Sequence, residues 1–331
     1  MLICVSPNPA IDRRLRLEKL TRGAVNRAGS AEPFPGGKAA HVAMAARALG
    51  EEVMWVGLLG GAAGDEFENG LSSLRIPVTV VRTGAGTRIN LEIIEPDGTI
   101  TEILEPGGEV TPDEVERLLS ICSDVFAEGG ADAQVALSGS LPPGAPEDLY
   151  AQLTRIAHSR GCRVLLDTSG EALRKGLEAS PDLVKPNRDE AAWLTGQPVC
   201  DPLSAAEAVP RLLAAGAGTV AVSLGADGMF WQDDERRDAL LARPPSVDAR
   251  STVGCGDAML AGLAVAHRRK LSAEEAARLA VACGTANCMA SAPGMIDPRE
   301  VERLIPHVTI RRLHSGHLAA GERGSDIART L

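Results

Sequence analysis

The sequence has few aromatic residues, which make up 2% of its 331 positions, and it has no basic segment. Its formal net charge is −10. Proteins that bind nucleic acid usually combine base-stacking aromatics with a positive surface, and both are missing here. No stretch approaches the roughly 18 consecutive apolar residues that a membrane-spanning helix needs. We therefore expect neither nucleic acid nor a membrane as a partner.

Paired cysteine motifs are also missing. The seven cysteines are odd in number, and no two of them form a C-x-x-C pair. This pattern argues against a zinc site and predicts reduced, mostly buried thiols in a cytoplasmic protein. The N-terminal segment Met1–Ser6 is apolar and lacks a basic start. It predicts a buried first strand rather than a signal peptide.

Short β-type runs alternate with longer alanine-rich helical runs. The predicted strands are Leu2–Ser6, Val53–Gly57, Gln134–Ser138, Arg163–Asp167 and Thr219–Leu224. The predicted helices are Lys38–Leu49, Pro112–Ala127, Glu147–Ser159, Ala205–Ala215, Asp257–Arg269 and Ala273–Ala290. This alternation predicts an α/β fold, with a mostly parallel central sheet covered by helices on both faces. Ligands of such folds bind at the carboxyl ends of the strands.

The turn Thr252-Val253-Gly254-Cys255-Gly256-Asp257, followed by an alanine-rich run, is the most informative motif. Glycines at a helix N-terminus let an anion approach unpaired backbone N–H groups. An aspartate is the wrong charge for simple anion binding, but it fits a base that takes a proton while the amides hold a phosphate. The motif thus indicates phosphoryl transfer with Asp257 as general base. The alternative is a glycine turn in which Asp257 only caps the helix.

Two other motifs offer phosphate or metal contacts. Gly36-Gly37-Lys38 places a lysine at a helix start, although Ala39 follows it and a Walker A loop would need Ser or Thr there. Asn187 and Glu190 share a helix face and suit Mg²⁺ held through its waters. The alternatives are a surface lysine after a turn and an ordinary capping box.

A pair of β-type runs, Thr87–Glu95 and Thr99–Glu105, is separated only by the turn Pro96-Asp97-Gly98. Together with the alternating residues 11–17, they predict a small antiparallel sheet outside the main layers. Such a sheet would act as a lid that excludes water during phosphoryl transfer. The alternative is a surface hairpin without a role in the reaction.

The order of motifs resembles that of the PfkB (ribokinase-like) carbohydrate kinases, in the branch of 1-phosphofructokinases and tagatose-6-phosphate kinases. The resemblance covers residues 2–310 approximately. The segments that carry it are Asn8–Asp12, Val25–Arg27, Gly36–Lys38, Thr87–Asn90, Thr101–Glu105, Ser138–Pro142, Lys185–Asn187 with Glu190, Val222–Gly225 and Thr252–Asp257.

The resemblance implies a role for each matching residue. Asp257 is the base, and the amides of Gly254, Cys255 and Gly256 hold the phosphoryl group in flight. The acceptor sugar phosphate is bound by Asp12, Gly37, Lys38, His41, Arg88, Asn90 and, more weakly, Arg27. ATP is bound by Lys185, Asn187, Ser223, Gly225, Gly228 and Asn287, and Mg²⁺ by Asn187 and Glu190 through water. The basic pair Lys38 and Arg88 implies a phosphorylated acceptor, because a buried phosphate must be paired. The alternative is that Arg88 pairs with Glu92 or Glu102.

Four positions depart from the family pattern. Ala39 and His41 stand where the family usually has Gly and Asn, which leaves the acceptor geometry open. Cys255 replaces the common alanine, and we expect its thiol to be more acidic than usual at a helix N-terminus. Ser251 stands where kinases activated by monovalent cations carry Asp, so potassium activation is not assumed.

The resemblance implies a single ribokinase-like domain over residues 1–313, with lid segments at about 10–18 and 87–105 and a loosely ordered tail over 314–331. It implies a homodimer joined through the lids and ATP-dependent phosphorylation of a ketohexose phosphate, with fructose 1-phosphate as the expected acceptor. The alternatives are tagatose 6-phosphate, fructose 6-phosphate, and an inactive sugar-phosphate sensor. A dehydrogenase is disfavoured because no G-x-G-x-x-G follows the first strand.

Overall fold

The computed structural model describes residues 1–233 and 238–314, so the predicted tail beyond residue 314 lies outside the described residues. Within these ranges the strands form a large and a small sheet. The strands of the large sheet are β1 (Leu2–Ser6), β4 (Val53–Leu59), β5 (Val78–Arg82), β8 (Gln134–Ser138), β9 (Arg163–Asp167), β10 (Leu183–Val184), β11 (Thr219–Ser223), β12 (Met229–Asp233), β13 (Asp238–Arg243) and β14 (Thr309–His314). Those of the small sheet are β2 (Ala10–Arg16), β3 (Ser30–Gly36), β6 (Arg88–Ile94) and β7 (Ile100–Ile103).

The large sheet has the strand order β14-β13-β12-β11-β10-β9-β8-β1-β4-β5 among the described residues. Every pairing from β5 to β11 is parallel, whereas β12, β13 and β14 are added antiparallel at one edge. The predicted mostly parallel sheet is confirmed, and all five predicted strands lie in it.

Helices cover both faces of this sheet. They are α1 (Lys38–Ala48), α2 (Gly61–Ser73), α3 (Pro112–Gly129), α4 (Leu149–Ser159), α5 (Gly170–Leu177), α6 (Arg188–Thr195), α7 (Pro202–Ala214), α8 (Cys255–Arg268), α9 (Ala273–Met289) and α10 (Pro298–Leu304). One buried apolar cluster joins the sheet to α1, α8 and α9, and the other joins it to α3, α4 and α7. None of these helices is long and apolar enough to cross a bilayer.

Local sequence explains where several helices begin and end. Thr111 caps α3 by accepting from the backbone N–H of Glu114, and the Glu114 carboxylate accepts from the N–H of Thr111. These two contacts form a capping box, which the spacing of Thr111 and Glu114 in the sequence favours. Gly50 and Gly161 follow α1 and α4 with φ of 86° and 78°, the left-handed backbone that favours glycine at a helix end.

The small sheet, in the order β3-β2-β6-β7, contains the segments predicted to form a lid. We call it the lid, and its role in excluding water stays a prediction. Its outer pairings are antiparallel, and its central pair β2–β6 is parallel with Asp12 opposite Asn90 and Arg14 opposite Glu92. Because side chains alternate along a strand, these four residues share one face.

Candidate active site

The predicted functional side chains gather where parallel strands of the large sheet end. β9 ends at Asp167, Lys185 follows β10, and α1 and α8 begin nearby. Hydrogen bonds and ion pairs connect these elements to Asp12 and Asn90 of the lid. A polar cluster between the lid and this edge of the sheet is the arrangement expected of an α/β ligand site.

The N-terminus of α8 is shaped to hold an anion. Gly254, not Asp257, is the residue that precedes the helix, and its φ of 75° is left-handed. The alternative in which Asp257 only caps the helix is therefore wrong. A Cβ placed on Gly256 would lie 3.1 Å from Nζ of Lys185, so the ammonium group faces this turn. The positive end of the helix and a lysine beside it together suit a phosphate.

Asp257 lies in the first turn of α8 and contacts a histidine that bridges to the lid. The Oδ2 of Asp257 is 2.8 Å from Nδ1 of His41, and Nε2 of His41 is 3.1 Å from Oδ2 of Asp12. Asn90 donates to Oδ1 of Asp12 at 2.8 Å. His41 is 4% exposed and Asp257 6% exposed, so this chain of polar groups is buried.

The electrostatics of the bridge follow from its geometry. Burial alone would lower the pKa of His41, but the hydrogen bonds to Asp12 and Asp257 raise it to about 10. Burial opposes ionisation of Asp12, and the bonds from His41 and Asn90 overcome this and lower its pKa. A Cβ on Gly36 would lie 2.2 Å from Cγ of Asp12, which explains why the lid carboxylate needs a glycine beside it.

Besides the chain of contacts through His41, the site contains a second set of charged side chains around Lys38. Nζ of Lys38 is 2.7 Å from Oδ1 of Asp167 and 3.4 Å from Oε1 of Glu190. Lys185 reaches the other oxygen of Asp167 at 2.8 Å. Burial would lower the pKa of Lys38, but the carboxylates of Asp167, Glu190 and Asp257 raise it. Asp167 is 1% exposed and was not among the predicted site residues, although its position at the end of a predicted strand could have revealed it.

Asn187 and Glu190 form a capping box at the start of α6. The Asn187 side chain accepts from the N–H of Glu190, and Oε2 of Glu190 accepts from the N–H of Asn187, both at 2.8 Å. The capping alternative is thus realised, and Oε1 of Glu190 stays near Lys38. No group of three metal-ligating side chains occurs in the described part of the chain. The oxygens of Asn187 and Glu190 are of the kind that suits Mg²⁺. This ion usually binds mainly to phosphates and water, with few protein ligands.

The two candidate arginines are placed differently. Arg88 donates to the carbonyl oxygens of Glu105 at 2.8 Å and Asn8 at 3.0 Å. Burial lowers its pKa. Among the described residues neither Glu92 nor Glu102 is a hydrogen-bond or ion-pair partner of Arg88, so this alternative is not realised. Glu92 pairs instead with Arg14 at 2.7 Å.

Arg27 is exposed in the loop between β2 and β3. None of the contacts that join the cluster, as far as the chain is described, involves it. Its weak assignment to the acceptor phosphate stays a prediction.

The predicted nucleotide residues divide into two groups. Ser223 ends β11 and donates its N–H to the Pro186 carbonyl at 2.9 Å, which places it beside Asn187. Gly225 and Gly228 flank a single 3₁₀ turn with φ of 60° and 89°. Asn287 instead lies under the anion turn. Its amide donates to the Val253 carbonyl at 2.7 Å and accepts from the N–H of Gly294 at 2.8 Å. The adenine contact predicted for Asn287 remains a prediction.

Cys255 does not have the acidic thiol that its helix position predicts. Its Sγ lies 2.6 Å from Sγ of Cys288. This contact and burial raise the pKa of the Cys255 thiol. The expectation was wrong because the neighbouring thiol is 33 positions away in sequence and could not be seen from the motif.

Known proteins resemble this chain over most of its length. Residues 3–299 match the family described as pfkB family carbohydrate kinase. The chain is 36% identical over 310 residues to 1-phosphofructokinase of Rhodobacter capsulatus, covering 93% of this chain and 97% of that protein. It is 39% identical over 287 residues to 1-phosphofructokinase of Xanthomonas campestris, covering 85% and 88%.

A solved structure shows the same architecture. Phosphofructokinase-2 from Escherichia coli in complex with fructose-6-phosphate superposes with a TM-score of 0.84 at 27% identity, covering 93% of this chain and 98% of that one. The matches span most of this chain and of each relative, so the fold is shared. The chain belongs to the pfkB family of carbohydrate kinases, and it is an ATP-using kinase that transfers a phosphoryl group to a hydroxyl of a sugar phosphate.

Proposed function

We propose that this kinase is a 1-phosphofructokinase, which converts fructose 1-phosphate and ATP to fructose 1,6-bisphosphate and ADP. Both relatives described above carry that name. The observation that carries the proposal is the placement of Arg88 in the lid, on the same strand face as Asn90. Among the described residues, no carboxylate is a hydrogen-bond or ion-pair partner of Arg88. A guanidinium group so placed suits the phosphate that the acceptor already carries.

The reaction assigns one task to each part of the site. Asp257 takes the proton of the C6 hydroxyl, whose oxygen then forms a bond to the γ-phosphorus as the bond to the ADP oxygen breaks. The amides of Gly254, Cys255 and Gly256, with Lys185 beside them, stabilise the charge on the transferring group. Asp12 and Asn90 hold the sugar hydroxyls, and Lys38 and Arg88 its phosphate.

Asn187 and Glu190 would hold Mg²⁺ through its waters, and the bound ion would neutralise charge on the phosphates. The nucleotide itself would lie along Ser223, Gly225 and Gly228. A single kinase domain over residues 1–313 is part of the same proposal, and the predicted cytoplasmic location rests on the unpaired cysteines.

We also propose a homodimer joined through the lids. Ile103 and Leu104, at the β7 edge of the small sheet, are 52% and 61% exposed. An exposed apolar pair on an edge strand suits an interface between copies. Light scattering should give twice the chain mass for the wild type, and a monomer for the Leu104→Glu variant. A wild-type monomer would contradict the dimer.

Fructose 6-phosphate is the second candidate acceptor, because the solved structure of the phosphofructokinase-2 relative contains it. The test is ADP release at fixed MgATP with fructose 1-phosphate, tagatose 6-phosphate, fructose 6-phosphate and free fructose, using Asp257→Asn as the blank. We expect the highest kcat/KM with fructose 1-phosphate, and loss of several orders of magnitude in the blank. Preference for another ester would reject the assigned acceptor, and full activity of the blank would reject Asp257 as the base.

A further inference from the structure

His41 is the residue that connects the proposed base to the lid. It lies in the second turn of α1, between Asp257 of α8 and Asp12 of β2, at 2.8 Å and 3.1 Å. An ionised carboxylate can only accept hydrogen bonds. If both carboxylates are ionised, both ring nitrogens must donate, and the ring is an imidazolium cation. The geometry thus suits a protonated ring that donates to both carboxylates.

The bridge leaves one reactive oxygen free. The Asp257 oxygen that His41 contacts is Oδ2, so Oδ1 is the atom that can receive the hydroxyl proton. Both oxygens of Asp12 are held, Oδ1 by Asn90 and Oδ2 by His41. Since a carboxylate otherwise rotates about its Cβ–Cγ bond, these contacts fix the direction of each group.

We propose that His41 is a positioning residue for phosphoryl transfer, which holds Asp257 and Asp12 at a fixed separation so that the hydroxyl bound at Asp12 faces Oδ1 of Asp257. The inference rests on the proposed function, because it takes Asp257 as the base. It gives a reason for the departure from the family pattern at this position: an asparagine amide has one donor-bearing nitrogen, whereas an imidazolium has two on opposite sides of the ring.

The charges around His41 set its pH dependence. Asp12 faces it from β2, Asp257 from α8 and Glu102 of β7 from a greater distance, while Lys38 lies one turn earlier on α1. When the imidazolium loses its proton, one of its two carboxylate contacts loses its hydrogen. We expect the hydrogen bond to weaken in a growing fraction of molecules at alkaline pH, and to be lost in most of them above about 10.

The kinetic test compares His41→Ala, His41→Asn and His41→Gln with the wild type on fructose 1-phosphate. The matched control is His158→Asn, since His158 forms a carboxylate pair with Asp182 at 3.1 Å outside the site. We expect kcat to fall by about 100-fold in the site variants, because small displacements of reacting groups cost that much. The KM for MgATP should stay within about twofold, as expected when only the chemical step is affected. The alkaline limb of the kcat profile should disappear in His41→Asn.

The result that would overturn the proposal is a rise in sugar-phosphate KM at unchanged kcat, since His41 would then be only a sugar contact. An alkaline limb that is the same in the wild type and in His41→Asn would overturn it as well. In His158→Asn both kcat and its pH profile should match the wild type.

A second test needs no turnover. In protein labelled with ¹⁵N-histidine, the His41 signals should show two protonated ring nitrogens at pH 8, and Asp12→Asn or Asp257→Asn should lower the pH at which the ring deprotonates. A neutral His41 at pH 8 in an active wild type would overturn the bridge and leave the proposed function standing. A protonated His41 in a wild type that phosphorylates none of the sugar phosphates would reject the proposed function, and with it His41's role in transfer.

Discussion

Replacement of Arg88 by methionine tests whether this kinase selects a phosphorylated acceptor. The guanidinium group donates to two backbone carbonyls and has no carboxylate partner among the described residues, so its charge is available to a ligand. Burial lowers the pKa of Arg88, and the nearby carboxylates of Asp12 and Glu105 offset this only in part. A phosphate bound directly to the guanidinium group would stabilise its charge further. Methionine keeps much of the volume and removes the cation.

The magnitude follows from the kind of contact. A hydrogen bond to a charged group contributes about 1.5–3 kcal/mol. Since about 1.4 kcal/mol corresponds to a factor of ten, loss of the contact should lower kcat/KM for fructose 1-phosphate by about 10- to 150-fold. The variant also leaves the Glu105 and Asn8 carbonyls without this donor, which disturbs the chain next to the small sheet for any substrate. The informative quantity is therefore the ratio of kcat/KM for fructose 1-phosphate to that for free fructose.

We expect this ratio to collapse in Arg88→Met and to recover partly in Arg88→Lys, which restores the charge without the planar fork. Arg82→Met is the matched control, because Arg82 lies on a strand of the large sheet and pairs with the carboxylates of Asp65 and Glu68. Its ratio should equal that of the wild type. Equal losses on the ester and on free fructose in Arg88→Met would refute the assignment of Arg88 to the acceptor phosphate.

Two further predictions concern protonation. The folded-state pKa of His41, about 10, lies above its ordinary value of 6.5, so the stability it contributes is fully present below pH 6.5 and is lost as the pH rises through 10. The difference in urea midpoint between the wild type and His41→Asn should therefore shrink from pH 6 to pH 10, and a constant difference would contradict the bridge. Because Cys255 is partly buried and its pKa is raised while Cys200 is exposed, a thiol reagent should modify Cys200 first without loss of activity. Inactivation that precedes modification of Cys200 in a mass-spectrometric time course would show that the Cys255 thiol is accessible after all.

Features set by neighbouring residues could be predicted from the sequence. The capping box of α3 and the glycine turn before α8 depend on a few consecutive residues, and both are where the sequence places them. The strand β3 was not predicted, because Pro33 and Pro35 argue against a strand. It forms at the edge of the small sheet, where a missing N–H is tolerated. The helix α2 was also missed, since it contains several glycines, yet Phe67 and Leu71 are fully buried and stabilise it.

The residues of the candidate site also fall into those that a local motif predicts and those that only the folded chain brings together. Asp257, Lys38 and Arg88 were recognisable because each belongs to a local motif. The bridge through His41 joins positions 216 apart, and the pairing of Lys38 with Asp167 joins positions 129 apart. Such contacts are created by the packing of α1 against α8 and the sheet. A local motif identifies which groups are available, whereas only the assembled fold determines which of them face each other.

The lid and the anion turn are joined by a second long-range contact, which makes the last prediction. Arg14 of β2 donates to both oxygens of Glu92 at 2.7–3.0 Å and to the carbonyl of Ser291, and Ser251 donates to Glu92 at 3.3 Å. Ser251 in turn accepts from the N–H of Val253, the residue before Gly254. The side chains of Arg14 and Glu92 are 5% and 7% exposed. Removing the charge of one therefore leaves the other as a buried charge without its partner.

Glu92→Gln should therefore lose about 3–5 kcal/mol of stability, whereas the double variant Arg14→Met, Glu92→Met should regain most of it, because a buried ion pair can be replaced by apolar residues at little cost. If the pair also transmits the lid position to the anion turn, the double variant stays low in kcat although its urea midpoint is restored. Recovery of kcat together with stability would show that the pair serves packing alone. Retained loss of kcat would mean that the lid strands carrying Asp12 and Asn90 also hold the turn on which the phosphoryl group is transferred.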